Sequence, residues 1–358
     1  MNISTTLREI YDHCTLQVRI RHRLTEEQKD FANKDKSLLK GLSGEQKNEI
    51  KKFWADYGIH SFNMGWVDFY SSLYGQYDKR FIPDDIFYTK IDLYFNNPAA
   101  AQYLDDKNMY SLLFKDVKMP KTVVRKIKGV FLDENYKLLT SNEALRLCID
   151  AQNIIIKPSV MSCGGLGIHF WKTEDGQDKL KKRLLKSTDF IVQKIVHQHP
   201  VLNKLHKDSL NSVRIMTLMF DNKVYALSGI VRMGINGNKV DNVSSGGISC
   251  GINENGNLKQ YAFEGNGTRM LKHPQGAVFS DITIPNYNKC VELAKSLALR
   301  LVGYSRMVSW DFAIDEEGNP VLIEANLATG GVDFHQWSNG PIFGDLTEKV
   351  LKEVFHRK

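Results

Sequence analysis

The segment from Val308 to Asn326 constrains this chain more than any other. Val308-Ser-Trp-Asp311-Phe-Ala-Ile and Pro320-Val-Leu-Ile-Glu324-Ala-Asn326 are apolar runs on either side of the polar stretch Asp315-Glu316-Glu317-Gly318-Asn319. That is the pattern of a β-hairpin. A four-residue turn at Glu316–Asn319 sets Asp315 opposite Pro320, and stepping outward sets Asp311 opposite Glu324. Side chains alternate along a strand, so Asn326 shares the face of Glu324. Two carboxylates and an amide therefore converge on one patch of an otherwise apolar hairpin. Facing like charges repel unless a cation lies between them. An oxygen-only set suits Mg²⁺, which takes one or two carboxylates and completes its shell with phosphate and water. The simpler alternative is a solvated outer face. On the metal reading, amide replacements at Asp311 and Glu324 are expected to leave the fold intact.

Composition narrows the classes. With 358 residues the chain can build a large core and more than one domain, and 42% hydrophobic with 25% charged residues is ordinary for a globular protein. No apolar run approaches the ~20 residues that cross a bilayer, and the first residues lack the apolar core of a signal peptide. Five scattered cysteines, Cys14, Cys148, Cys163, Cys250 and Cys290, show no Cys-x-x-Cys spacing. This argues against a disulfide framework or zinc site and for a cytoplasmic location. The net charge of +7 is mild. Its densest run, Arg19-Ile-Arg21-His22-Arg23, with lysines following at Lys29, Lys34, Lys36 and Lys40, could touch an anionic membrane face. The solvated side of helices is the simpler reading. No aromatic interleaving marks a nucleic-acid platform.

Residues 1–95 read as mostly helical. Ser43-Gly-Glu-Gln46 is a capping box opening a helix that stops at Gly58. The aromatic stretch from Phe62 to Phe95 reads as packing between helices, with a sugar-stacking surface as the alternative. A boundary falls at Asn96-Asn97-Pro98. Beyond it, strand-like runs alternate with turns: Thr122–Ile127, Asn153–Lys157, Gly167–Trp171, Phe190–Ile195, Ser212–Phe220, Lys223–Met233, Val308–Ile314 and Pro320–Ala325. Two helices interrupt them, one at Ser141–Gln152 with Ser141 as cap, the other at Tyr287–Val302 stopped by Gly303. Strands joined by short turns with few helices indicate an α+β fold rather than a doubly wound parallel sheet.

Three further segments carry chemistry. Ile154-Ile-Ile-Lys157, then a loop with Gly164, Gly165 and Gly167, is a strand ending in lysine before glycines that let backbone approach a polyphosphate. Read alone it is more simply a glycine hairpin beside a surface lysine, and neither common nucleotide motif is present. Arg214 stands inside an apolar strand, where a charge needs an anionic partner, either a ligand or a core carboxylate. Asp241-Asn242-Val-Ser-Ser-Gly246-Gly247 is a second polar loop. His197 and His199 lack a third ligand for a metal site and read as surface or nucleotide-flanking.

Taken in order, Lys107, Lys157 with its glycine loop, Phe190-Ile-Val-Gln193-Lys194-Ile195-Val196, Arg214, Asp241-Asn242, Asp311 and Glu324-x-Asn326 resemble an ATP-grasp enzyme. More narrowly, they resemble the sugar-transfer-associated branch found among polysaccharide-biosynthesis proteins, over about residues 96–358. The resemblance implies an ATP-grasp fold, two α+β subdomains clasping ATP, with a first subdomain at about 96–196 and a metal-binding subdomain at 197–358. It implies that Lys107 and Lys157 contact the phosphates of ATP and that Gly164, Gly165 and Gly167 close over them. Gln193, Lys194, Ile195 and Val196 would form the adenine hinge, chiefly through backbone, and Asp241 would join the nucleotide site. Gln193 departs from the glutamate many relatives carry there, and Cys163 is an unneeded thiol in the glycine loop. Arg214 would hold the transferred phosphate, with Lys157 and Asn242 beside it in catalysis. Asp311, Glu324 and Asn326 would hold two Mg²⁺ ions.

The function implied is an ATP- and Mg²⁺-dependent carboxylate–amine ligase, its partners a small acid and an amine, sugar-linked, in surface-polysaccharide or capsule biosynthesis. Phosphoryl transfer needs positioning and cations rather than a nucleophile triad, which agrees. The alternatives are a phosphotransferase on a sugar-type acceptor, or a nucleotide-binding accessory protein of a glycosyltransferase complex. Residues 1–95 are expected to shape an acceptor site or dock a partner.

Overall fold

The computed structural model describes residues 3–160, 165–186 and 188–356, without the side chains of residues 3–13, Gln102 and Ser244. Cys163 and Gly164 lie outside the described residues. The chain divides into two compact units, one of residues 1–96, 266–268 and 331–358, the other of 97–265 and 269–330. None of the described helices is long and apolar enough to cross a membrane.

The first unit is helical: Ile3–Asn33, Gly44–Ala55, Gly65–Tyr74, a run from Asp84 to Phe95 with a π-turn at its middle, and the C-terminal helices Asp333–Asn339 and Thr347–Phe355. The capping box forms as expected, Ser43 accepting from the Gln46 amide and Gln46 from that of Ser43. The aromatic stretch is core. Trp66, Phe69, Tyr70, Phe81 and Phe87 are fully buried, with Trp66 stacked on Tyr70 at 5.6 Å and Phe69 edge-on to Trp337 at 5.8 Å. Of the basic residues, Arg19, Arg21 and His22 are exposed. Lys34 is not on a solvated face: it is buried between the rings of Trp66 and Trp337 and paired with Asp30 at 3.0 Å and Asp333 at 3.5 Å.

Lys34 and Arg23 face a concentration of buried acid. Glu27, Asp30 and Asp84 bring carboxylate oxygens within 4.8 Å of one another. Burial pushes Glu27 up to about 7, with Asp333 and Asp30 adding repulsion that Arg23 only partly offsets. Asp84 is raised by burial and then by Asp333 and Glu27. An acid whose folded pKa exceeds its unfolded value stabilises at low pH, and that stability is lost as pH rises. For Glu27 the window runs from about 4.5 to about 7, worth about 3 kcal/mol at ~1.4 kcal/mol per tenfold change in proton affinity. Denaturation of wild type and Glu27→Gln at pH 5 and 7.5 should give a shallower pH dependence for the variant. Parallel curves would remove Glu27 as its source.

The second unit carries two all-antiparallel sheets. One has the order β3-β2-β1-β6-β4-β5, with β1 Thr122–Ile127, β2 Val130–Leu132, β3 Leu138–Leu139, β4 Ile154–Pro158, β5 His169–Trp171 and β6 Phe190–Lys194. The other has the order β11-β10-β9-β8-β7-β12-β13, with β7 Ser212–Phe220, β8 Lys223–Met233, β9 Ile248–Ile252, β10 Leu258–Phe263, β11 Arg269–Met270, β12 Met307–Ile314 and β13 Pro320–Asn326. The helix Tyr287–Leu301 buries Cys290, Ala294, Leu297, Ala298 and Leu301 in the core that also holds Val213, Ile215 and Trp310. Helix Ser141–Ala151 is capped by Thr140, not Ser141. The Thr140 hydroxyl accepts from the Glu143 amide and Glu143 returns the bond, so the capping residue precedes the first helical one.

The hairpin differs from expectation in its turn. Ile314, not Asp315, faces Pro320. The Asp315 carboxylate accepts from the Asn319 and Glu317 amides at 2.8 and 3.1 Å, so Asp315 belongs to a five-residue loop. A bulge between Asp311 and Phe312 on the ladder restores the count, and Asp311 still faces Glu324.

Candidate active site

One transverse row of β12 and its neighbours holds the charges. Arg214 on β7, Asp311 on β12 and Glu324 on β13 are cross-strand partners, so their side chains share one face. That face borders a cavity of about 790 Å³ in the second unit.

Asp311 is fully buried. Arg214 forks onto it, Nε to Oδ1 at 2.7 Å and Nη2 to Oδ2 at 2.8 Å, the bidentate geometry that suits a guanidinium to a carboxylate. Arg232, on β8, adds a bond to Oδ2 at 3.0 Å, and Asn326 donates to the same oxygen at 3.3 Å. Burial opposes ionisation of Asp311, but the charges of Arg214 and Arg232 outweigh it and hold the pKa at about 2. Arg214 is likewise opposed by burial and raised overall by Asp311. The remaining Arg214 nitrogen donates to the Gly330 carbonyl at 3.2 Å.

Glu324 takes a 2.6 Å ion pair from Lys107. Lys157, at the end of β4, is buried, and desolvation with repulsion from Lys107 pulls its pKa down to about 8 against the pull of Glu324 and Asp241. Asp241 accepts from the Ser212 amide and hydroxyl and lies 3.6 Å from Arg232. Gly165 and Gly167 both have φ near +76°, a backbone that glycine enters without strain. A β-carbon on Gly167 would also meet the Pro158 ring at 2.8 Å.

Of the residues singled out from sequence, the cavity wall gathers Lys107, Lys157, Gly165, Lys194, Ile195, Val196, Arg214, Asp241, Asn242, Asp311, Glu324 and Asn326. Gln193 and Gly167 do not line it. Gln193 borders a small adjacent pocket, its amide 3.5 Å from the Pro120 carbonyl, and Gly167 accepts from Arg183 at 3.0 Å through its carbonyl. His197 reaches the wall, whereas the His199 ring accepts from the Val201 amide at 3.2 Å as a helix cap.

Arg232 and Asp105 are among the wall residues that the sequence did not single out. Arg232 stands in the apolar run Gly229-Ile-Val-Arg232-Met, and the logic that singled out Arg214 applies to it equally. Asp105 gave no signal. It ends a short helix, and burial followed by repulsion from Glu324 pushes its pKa up to about 7, despite Lys107 and a 3.4 Å bond from the Tyr110 hydroxyl.

The profile of the sugar-transfer associated ATP-grasp family matches residues 87–352, about three quarters of the chain. Similar solved structures include D-alanyl-alanine synthetase A from Vibrio cholerae, at 10% identity over 73% of this chain and 68% of that one, with a TM-score of 0.44. D-alanine–D-alanine ligase from Bacillus anthracis matches at 13% identity over 73% and 70%, TM-score 0.41. The ATP-grasp ligase PsnB, solved with a minimal precursor, Mg and ADP, matches at 14% over 74% of this chain and 62% of its own, TM-score 0.40. A search of curated proteins gave no match. These structural likenesses are distant, and the assignment rests on the family profile: the chain belongs to the sugar-transfer associated ATP-grasp family.

Proposed function

We propose that this protein is an ATP- and Mg²⁺-dependent carboxylate–amine ligase acting through an acyl phosphate. The observation that carries the proposal is the row Arg214–Asp311–Glu324 bordering one cavity with Lys107 and Lys157. It unites a phosphate-sized set of cations with carboxylates, which suits positioning-driven phosphoryl transfer. The acid and amine are proposed to be sugar-linked, on the strength of the family's description, and a place in polysaccharide or capsule assembly in the cytoplasm is proposed with them. The helical unit is proposed to serve the acceptor or a partner.

The donor set fits Mg²⁺ in kind. Glu324 and Asn326 offer oxygens at the cavity wall, and among the described residues Asp311 Oδ1 receives a single donor, leaving lone-pair capacity. Bound there, Mg²⁺ would supply charge neutralisation to phosphate oxygens; two ions are proposed. The protein's own residues do the rest. Lys107 and Lys157, with the backbone at Gly165, hold the phosphates, while Lys194 to Val196 flank the base. Arg214, oriented by Asp311, and Asn242 face the reacting phosphoryl group.

Lys157 gives a measurable consequence. Its folded pKa of about 8 lies below the ordinary 10.5, and a phosphate beside it favours the charged form. ATP binding should therefore take up a proton between about pH 8 and 10. Calorimetry at pH 8.5 in buffers of different ionisation enthalpy should show the uptake in wild type and its loss in Lys157→Met. Equal uptake in both would take Lys157 away from the phosphates.

The functional test is ADP release against a panel of uronic acids and amino compounds. Ligation predicts release with an acid and an amine together. Turnover with an alcohol alone would favour a phosphotransferase, and ATP binding without turnover on any pair an accessory role.

A further inference from the structure

We propose that Lys107 governs entry of the metal: its ammonium and a divalent cation compete for the Glu324 carboxylate, and nucleotide phosphate decides the competition by drawing Lys107 away. This rests on the metal reading of Glu324 given above. The Lys107 ammonium lies 2.6 Å from Glu324 Oε1, with the lysine side chain 7% exposed and the glutamate side chain 25%. A buried ammonium gives up its carboxylate readily only to another anion. A dication added to Glu324 while the ammonium stays would meet repulsion at contact distance in a poorly hydrated wall. The two roles, lysine on phosphate and glutamate on metal, are therefore taken up together or not at all.

The fold holds the pair in register. The Lys107 amide donates to the Ser159 carbonyl at 2.9 Å. Three residues on, the Tyr110 hydroxyl accepts from the Ala325 amide at 3.0 Å and donates to the Ala325 carbonyl at 3.2 Å. Backbone is thus tied down beside both partners, and the exchange falls to side chains. Lys157 supplies the bias. It repels Lys107 and is attracted by Glu324, so a phosphate between the two lysines relieves their repulsion while drawing Lys107 off. Asp311 offers a dication no easier entry, because it already answers Arg214 and Arg232. Metal alone should bind weakly and metal with nucleotide tightly, with Lys107 as the reciprocal link between them.

The test uses the full chain and Mn²⁺, an oxygen-seeking stand-in for Mg²⁺ whose unbound ion is counted by its paramagnetic resonance. Without nucleotide, Lys107→Met should bind Mn²⁺ roughly tenfold or more tightly than wild type. Lys157→Met removes an equal charge from the same cavity but not the partner of Glu324, and should gain far less. Adding Glu324→Gln to Lys107→Met should cancel the gain. Equal affinity in wild type and Lys107→Met would overturn the proposal while leaving the metal site standing. So would equal gains from the two lysine variants, or a gain that survives Glu324→Gln. If wild type takes up no Mn²⁺ even with ADP, the metal is lost from Glu324 altogether and the proposal falls with it. Should Lys107→Met fail to fold, wild-type crystals soaked in manganese chloride decide. An anomalous peak at Glu324 is expected with ADP and not without it. A peak without ADP, beside a Lys107 still in place, would overturn the proposal.

Discussion

Asp311→Asn is expected to lower stability by about 3–5 kcal/mol, the cost of removing one partner from a buried ion pair. The carboxylate is fully buried and anchors two guanidiniums, Arg214 by a bidentate fork and Arg232 by a single bond. Asparagine keeps the shape but leaves two buried cations competing for a neutral oxygen. This revises the expectation from sequence that an amide at this position is tolerated. Urea denaturation of wild type and variant, compared at the midpoint and slope, measures the difference. A loss within 1 kcal/mol would mean that Glu324 or Asp241 takes over the charge. The role of Asp311 as anchor would then fall.

Glu324→Gln should act on turnover instead. Glu324 is half-buried at the cavity wall and is ion-paired with Lys107. An amide there offers no charge to offset Mg²⁺, and loss of a preorganised charge contact typically costs a hundred- to a thousandfold in rate, on the order of 3–4 kcal/mol. The variant should remain folded by circular dichroism while ADP release collapses at every Mg²⁺ concentration. Near-wild-type release at saturating Mg²⁺ would remove Glu324 from the metal site.

The sheets were readable because their strands are apolar runs with polar turns. β1, β7 and β8 fall on the expected residues, and the Asp311–Glu324 pairing follows from alternation. What alternation cannot reveal is a turn that gains a residue while a bulge removes one, because the two errors cancel at Asp311. β9 and β10 were missed: Ile248–Ile252 and Leu258–Phe263 are short and broken by Gly251 and by polar Lys259 and Gln260. The site was legible as a collection of residue types but not as a network. That Arg214 and Arg232 converge on Asp311 depends on which strands are neighbours, and β8 lies beside β7 while β12 lies on its other edge. Asp105 was invisible, because its raised pKa arises from burial beside a glutamate 219 positions later in the chain. In the helical unit, Lys34 looked like one more surface lysine until two tryptophans closed over it.

The central claim is that a carboxylate, not a hydroxyl, attacks the γ-phosphate. Once an active acid–amine pair is found, the direct measurement uses acid labelled with ¹⁸O in both carboxylate oxygens. If an acyl phosphate forms and the amine displaces phosphate from it, one labelled oxygen leaves with phosphorus. Mass analysis should then find a single ¹⁸O in the released phosphate and one remaining in the amide. Unlabelled phosphate, or phosphate retained on the acceptor, would contradict the account.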